Sequence, residues 1–209
     1  REYSNFAGES EDRFRGWAAA GLRAGTSINR VYDEAESRLL DIHRLRHIIE
    51  PSATLWIAGT NRQDGSLPIY DDRVEGINQG AAVRAGVSNT LLTQRGGEGR
   101  WRTVDVLKVD TNVVYAADNA RRESPIGRFV DWRPELSQLG QFAEVDATWQ
   151  TTDALALTAQ HTYDFELNQP ARTSAALIWQ QWSDTTFFTQ MHYLNDRDAT
   201  YVSTGPTSA

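Results

Sequence analysis

Apolar and polar residues alternate with period two along the second half of the chain. Ala143, Val145, Ala147 and Trp149 share one face of an extended segment, and Glu144, Asp146, Thr148 and Gln150 share the other. Thr151-Thr152-Asp153 reads as a tight turn. The next segment sets Leu155, Leu157, Ala159, Tyr163 and Phe165 against Ala156, Thr158, Gln160, Thr162 and Asp164, and Asn168-Gln169-Pro170 breaks it. A third places Ala175, Leu177 and Trp179 opposite Ser174, Ala176 and Gln180. After Ser183-Asp184 a fourth shows Phe187, Met191 and Tyr193 against Thr186, Gln190 and His192. Four successive strands on short connections pair antiparallel, each with one wet face. A barrel wall between lipid and water produces this pattern, and so does a half-exposed sandwich sheet.

Strand length separates the two. Leu155 to Phe165 and Arg102 to Tyr115 exceed the ~5–6 residues usual for globular strands, whereas a tilted membrane strand takes ~9–11. Aromatics recur near strand ends, at Trp101, Tyr115, Trp132, Phe165, Trp182 and Tyr193. Membrane-interface girdles place them there, although aromatics also favour strands in general.

The first half is less regular. Gly16 to Ala24, Leu45 to Ala58 and Gly80 to Leu92 are expected strands. Between Val31 and Ile42, the positions of Tyr32, Ala35, Leu39 and Ile42 fit a short amphipathic helix almost as well as a loop entering a strand. Gly59 to Gln79 and Ala117 to Arg128 read as long polar connections, which in compact domains usually carry function or lie outside a barrel.

Composition narrows the function classes. The 209 residues carry 21 basic and 28 acidic groups, a net charge of −7, which argues against a nucleic-acid partner. Lys108 is the sole lysine, and cysteine is absent, so neither a disulfide nor a thiolate metal site can form within the chain. Apolar runs reach only five residues, as at Ala175 to Trp179, far short of the roughly 18 a membrane helix needs. The chain starts at Arg1 without a signal segment and ends in Gly205-Pro206-Thr207-Ser208-Ala209, so it is expected to be an internal fragment.

Candidate chemistry is sparse. His43, His47 and Glu50 would share a helix face and could hold a metal. Ile48, Ile49 and Pro51 favour a strand instead, on which Glu50 points away from both histidines. His161 and His192 lack the G-x-S-x-G frame of a hydrolase. Gly96-Gly97-Glu98-Gly99 lacks the Lys-Ser/Thr of a phosphate loop and reads as a hairpin turn. Arg121-Arg122 is too short for a basic patch. No catalytic, cofactor or metal site is expected.

Three segments in order carry a family resemblance. Arg46, His47, Glu50 and Pro51 match an R-H-x-I/L-E-P block. Gln63, Leu67, Pro68, Tyr70 and Asp71 match a loop pattern D/N-Q-x-x-L-P-x-F/Y-D. Arg73, Val74, Asn78, Gly86 and Ser88 resemble the strand that follows it. Together they resemble the middle of the barrel domain of the LptD family (organic solvent tolerance, lipopolysaccharide assembly). The resemblance implies an all-β antiparallel transmembrane barrel fragment of about eight or nine strands, with residues 1–209 forming one partial barrel domain. It further implies a non-enzymatic conduit for lipopolysaccharide in the outer membrane of a Gram-negative bacterium. Its partners would be outer-membrane lipid and a plug lipoprotein. The family's periplasmic domain and gate strands would lie elsewhere. The alternative left open is a soluble carbohydrate-binding or adhesin-like β-sandwich. Pro51, which cannot donate to a ladder, should mark a strand start, an edge or a bulge. Arg46 and Glu50 should each meet a partner on a neighbouring strand or in the Gly59 to Gln79 loop, with Asp64, Asp71 and Arg73 as candidates.

Overall fold

A computed structural model describes residues 16–61, 77–117, 121–122, 141–180, 185–195 and 198–208. The strands are β1 (Trp17–Gly25), β2 (Ile28–Ser37), β3 (Ile42–Thr60), β4 (Ile77–Arg95), β5 (Arg102–Ala116), β6 (Arg121–Arg122), β7 (Phe142–Gln150), β8 (Leu155–Asp164), β9 (Gln169–Gln180), β10 (Thr185–Leu194) and β11 (Ala199–Ser208). They form one all-β sheet in the order β1-β3-β4-β5-β7-β8-β9-β10-β11, with β2 also on β3 and β6 on β4. Among the described residues the sheet is open, with no ladder joining β11 to β1 or β2. The strand total exceeds the eight or nine expected because β1 and β2 are separate segments on β3 and β6 is only two residues long.

The alternation of the second half maps directly onto ladders. β7 pairs with β8, β8 with β9, β9 with β10 and β10 with β11, all antiparallel. The β8–β9 turn is Phe165–Asn168, earlier than Asn168-Gln169-Pro170. Asp164 Oδ1 accepts from Glu166 N at 2.9 Å and Leu167 N at 3.1 Å, and Asn168 takes φ 52. That side-chain bracket closes the turn before Pro170. Pro170 then stands inside β9, where the register shifts between Thr162 and Tyr163, an irregularity that tolerates a missing N–H.

The first half differs from expectation at one element. Residues 28–37 form a strand, and the helix reading of Val31 to Ile42 is corrected. Ile28 to Tyr32 pair with Leu45 to Ile49, and the ladder resumes at Glu36↔His43 after a register shift. Residues 33–35 of β2 bulge opposite Arg44, which itself takes φ 55, and the turn at 38–41 follows at once. Bulge and turn together space Tyr32, Ala35, Leu39 and Ile42 as a helix would. The glycine turn between β4 and β5 is as expected: Gly96 and Gly99 take φ 118 and 77, and Arg100 N donates to Gly97 O at 2.8 Å.

The chain divides into two compact units, and β3, β4 and β5 contribute residues to each. The first comprises residues 1–24, 53–84 and 114–141. Its buried apolar residues are Ala82, Val114 and Ala116, while Leu22, Leu55, Ile57 and Val83 are exposed. The second comprises residues 25–52, 85–113 and 142–209. It buries Val106, Phe142 and Ala171 alongside Thr93, Arg95, Asn112, Thr162 and Asp164. Among the described residues this unit thus buries more polar side chains, five, than apolar ones, three.

Candidate functional site: a polar face backed by an apolar wall

Registers in the second unit sort side chains onto two faces. On one, Trp149, Leu157, Leu177, Thr189 and Thr204 lie in a single cross-strand row. Beside it run Leu155, Trp179, Phe187 and Pro206, and on the other flank Ala147, Ala159, Ala175, Met191 and Val202. Of these, Trp149, Leu177, Trp179, Phe187, Met191 and Val202 are left in the open, Trp179 at 46% exposed, Met191 at 45% and Val202 at 68%, while Ala147, Leu155 and Leu157 are partly covered. Contiguous apolar surface on this scale marks contact with a membrane or a protein.

Aromatics bound the band at both ends. Trp179 and Phe187 pack with ring centroids 6.2 Å apart at one. At the other, the Tyr163 hydroxyl donates to Asn168 Oδ1 at 2.8 Å and the Tyr193 hydroxyl to Asn195 Oδ1 at 3.1 Å. Each ring sits on the apolar face with its hydroxyl on a polar turn. The eight-residue step from Leu155 to Tyr163 spans about 27 Å along a strand. Of the other aromatics considered for girdles, Trp132 and Trp182 lie outside the described residues.

The opposite face is mixed at one end, where Gln150, Ala156, exposed Ile178, Phe188 and Gly205 form a row, and hydrophilic beyond it. Thr148, Thr158, Ala176, Gln190 and Ser203 form one row, and Asp146, Gln160, Ser174, His192 and Tyr201 the next. Gln160 Nε2 donates to Glu144 Oε1 at 3.2 Å, and His192 Nδ1 meets Ser174 Oγ at 2.9 Å. Asp146 is half-buried here, within the electrostatic reach of Arg172 on β9 and Asp110 on β5. Lys108 Nζ pairs with Asp110 Oδ2 at 3.2 Å. Charges of both signs thus line one surface. Among the described residues no group of three His, Cys, Asp or Glu side chains is placed to hold a metal.

One end of this face is tied by Arg95, at the end of β4. Its side chain is 1% exposed. Nη2 donates to Gln150 O at 2.8 Å, Thr151 O at 3.1 Å and Leu40 O at 3.4 Å, and Nη1 reaches Asp153 Oδ1 at 3.4 Å. Arg102 pairs with the same Asp153. One guanidinium therefore joins the turn at 38–41 to the turn after β7, using the five-donor fork that a lysine lacks. Two residues earlier, buried Thr93 accepts from His43 N at 2.8 Å and donates to the His43 and Arg44 carbonyls. Sequence reading missed Arg95 and Thr93. The one available signal was a charged residue directly preceding a glycine turn.

The motif residues fall as follows. Arg46, His47, Glu50 and Pro51 all lie in β3. His47 Nε2 meets Asn89 Oδ1 on β4 at 3.2 Å, and His43 stacks on Trp101 at 4.5 Å. Pro51 sits within the strand, opposite the gap between β1 and β2, and its carbonyl accepts from Thr26 N at 3.2 Å. Arg46 and Glu50 are exposed. Among the described residues neither makes an ion pair. Gln63, Leu67, Pro68 and Asp71 lie outside the described residues, as do the loop partners Asp64 and Arg73. No protein-family model matches the chain, and no curated protein matches it.

Proposed function

We propose that this chain is part of the wall of a transmembrane β-barrel in the outer membrane of a Gram-negative bacterium. The barrel serves as a non-enzymatic conduit that delivers lipopolysaccharide to the cell surface. The observation carrying the membrane assignment is the inversion of faces across β7 to β11. Trp149, Leu177, Trp179 and Met191 are exposed on one side, while Thr162 and Asp164 are buried on the other. A hydrocarbon solvent favours that arrangement and water disfavours it. A β-sandwich would cover the apolar rows with a second sheet, yet the described strands all belong to one sheet.

The cargo assignment rests on the resemblance of the Arg46-His47-Ile48-Ile49-Glu50-Pro51 block, and of the two segments after it, to the LptD family. The polar face suits that role. Hydroxyls, amides and charges of both signs can replace water around a charged sugar headgroup, lowering the cost of its passage. The partners on this reading are lipopolysaccharide, outer-membrane lipid and a plug lipoprotein within the barrel.

Depletion of the protein in its host bacterium tests the proposal, with surface lipopolysaccharide measured by labelling of intact cells. Surface lipopolysaccharide should fall while newly made lipopolysaccharide accumulates beneath the outer membrane. Unchanged surface labelling after complete depletion would overturn the cargo assignment.

A further inference from the structure

His43 is held from three sides. Its cross-strand partner on β2 is Glu36, the first pair after the bulge, and His43 Nδ1 lies 3.8 Å from Glu36 Oε1. Its ring stacks on Trp101, directly before β5, with centroids 4.5 Å apart and planes 9° from parallel. From β4, Thr93 Oγ1 accepts from His43 N at 2.8 Å. His43, Glu36, Thr93 and Trp101 all belong to the second unit. The backbone here is not a regular ladder. Asp41 and Arg44, on either side of His43, take φ 49 and 55, a conformation that costs energy for residues other than glycine. Side chains hold it in place: Thr93 bonds the His43 and Arg44 backbone, and Arg95 Nη2 donates to Leu40 O at 3.4 Å. The end of the β2–β3 hairpin therefore rests on a few side-chain contacts, and each carries a larger share of its local stability than one rung of a continuous ladder would.

Protonation of the ring changes two of these contacts. Glu36 attracts it as an ion pair only while it is an imidazolium. Trp101 stacks on either form, but the negative face of the indole holds the cation more strongly. The neighbouring charges are mostly committed elsewhere. Arg44 pairs with Asp33, Arg95 and Arg102 both pair with Asp153, and His47 Nε2 on β3 meets Asn89 Oδ1 on β4. Asp41 in the turn at 38–41, and Glu98 and Arg100 in the glycine turn, are exposed and of mixed sign, so solvent and salt screen them. The ring and Glu36 are themselves part-exposed, which keeps the attraction modest and confines its effect to this end of the sheet.

We infer that His43 is a proton-sensitive clasp between the end of the β2–β3 hairpin and Trp101 beside the glycine turn. With its proton it draws Glu36 and Trp101 onto one ring. Without the proton it releases Glu36, and the turn at 38–41 opens more readily. One proton passes between solvent and the imidazole, and no other bond changes. The clasp does not depend on which face of the sheet meets lipid.

The test uses the full chain, folded in detergent or in plain buffer, with far-ultraviolet circular dichroism to establish folding of each variant. Emission from Trp101 is the difference between a protein and the same protein carrying Trp101→Phe. An imidazolium in contact with an indole quenches that emission, and a neutral imidazole does so far less. Between about pH 5 and 8, where histidine changes charge, Trp101 emission should rise in one step, and His43→Gln should abolish the step. Hydrogen–deuterium exchange, corrected for the intrinsic effect of pH, supplies the second readout. Protection of residues 38–41 should fall over the same range in the wild type and stay constant in His43→Gln and in Glu36→Gln. A wild type without the emission step, or a step that survives in His43→Gln, would overturn the clasp. So would protection that is independent of pH in the wild type, or that falls equally in Glu36→Gln. None of these results bears on the lipid-facing wall, whose failure would show instead as equal costs of arginine on the two faces.

Discussion

Arg95 and Asp153, fifty-eight residues apart in sequence, meet at 3.4 Å where β4 ends and the β7–β8 turn begins. The arginine is buried and the aspartate half-exposed, and three backbone carbonyls accept from the arginine's Nη2. Cutting a buried charge out of such a network leaves its acceptors unpaired. Arg95→Ala should cost about 3–5 kcal/mol. Arg44→Ala, which breaks the exposed pair with Asp33, should cost about 0–1 kcal/mol. Denaturant unfolding of both variants in detergent checks the contrast.

Gly86 predicts a second cost. A Cβ at this position would clash with the Asn112 side chain and stand 3.0 Å from Thr111 O. Asn112 is buried, and the Thr111 carbonyl beside it is backbone. Gly86→Ala should destabilise by about 1–3 kcal/mol through overpacking. Gly59→Ala, whose added methyl meets nothing within 4 Å, should stay within about 0.5 kcal/mol. Thermal melts of the two variants side by side measure the difference.

Solution behaviour supplies a third prediction. The apolar rows and the β11 edge present open surface and unpaired backbone groups. In plain buffer the chain should aggregate, and in detergent it should run as a folded species by size exclusion. A monodisperse, cooperatively melting monomer in plain buffer would favour the sandwich.

The sheet was legible wherever side chains keep strict parity. From Phe142 to Leu194, alternation alone separates Trp149, Leu157 and Leu177 from Thr148, Thr158 and Ala176, and the ladders keep that separation. Legibility failed where the ladders are interrupted. The bulge opposite Arg44 hid β2, because two extra residues between Tyr32 and Glu36 break the pairing and the period-two pattern with it. Asp164 moved the β8–β9 turn by bracketing it with a side chain, an effect that residue spacing does not reveal. Arg95 was invisible for a different reason: its partners are backbone carbonyls and an aspartate brought near only by the fold. The motif block could be located on β3, but its meaning could not be read from burial, because Arg46 and Glu50 both stand exposed.

The central claim is that one side of this sheet faces lipid. Leu157 and Thr158 are adjacent in β8, and their neighbours on β9 are Leu177 and Ala176 respectively. Each can be changed to arginine and the folding free energy measured in lipid bilayers. Leu157→Arg should cost about 2–4 kcal/mol, the penalty for a cation near the bilayer midplane. Thr158→Arg, on the hydrophilic face, should cost far less. Equal costs, or a larger cost at Thr158, would contradict a wall with lipid on the leucine side.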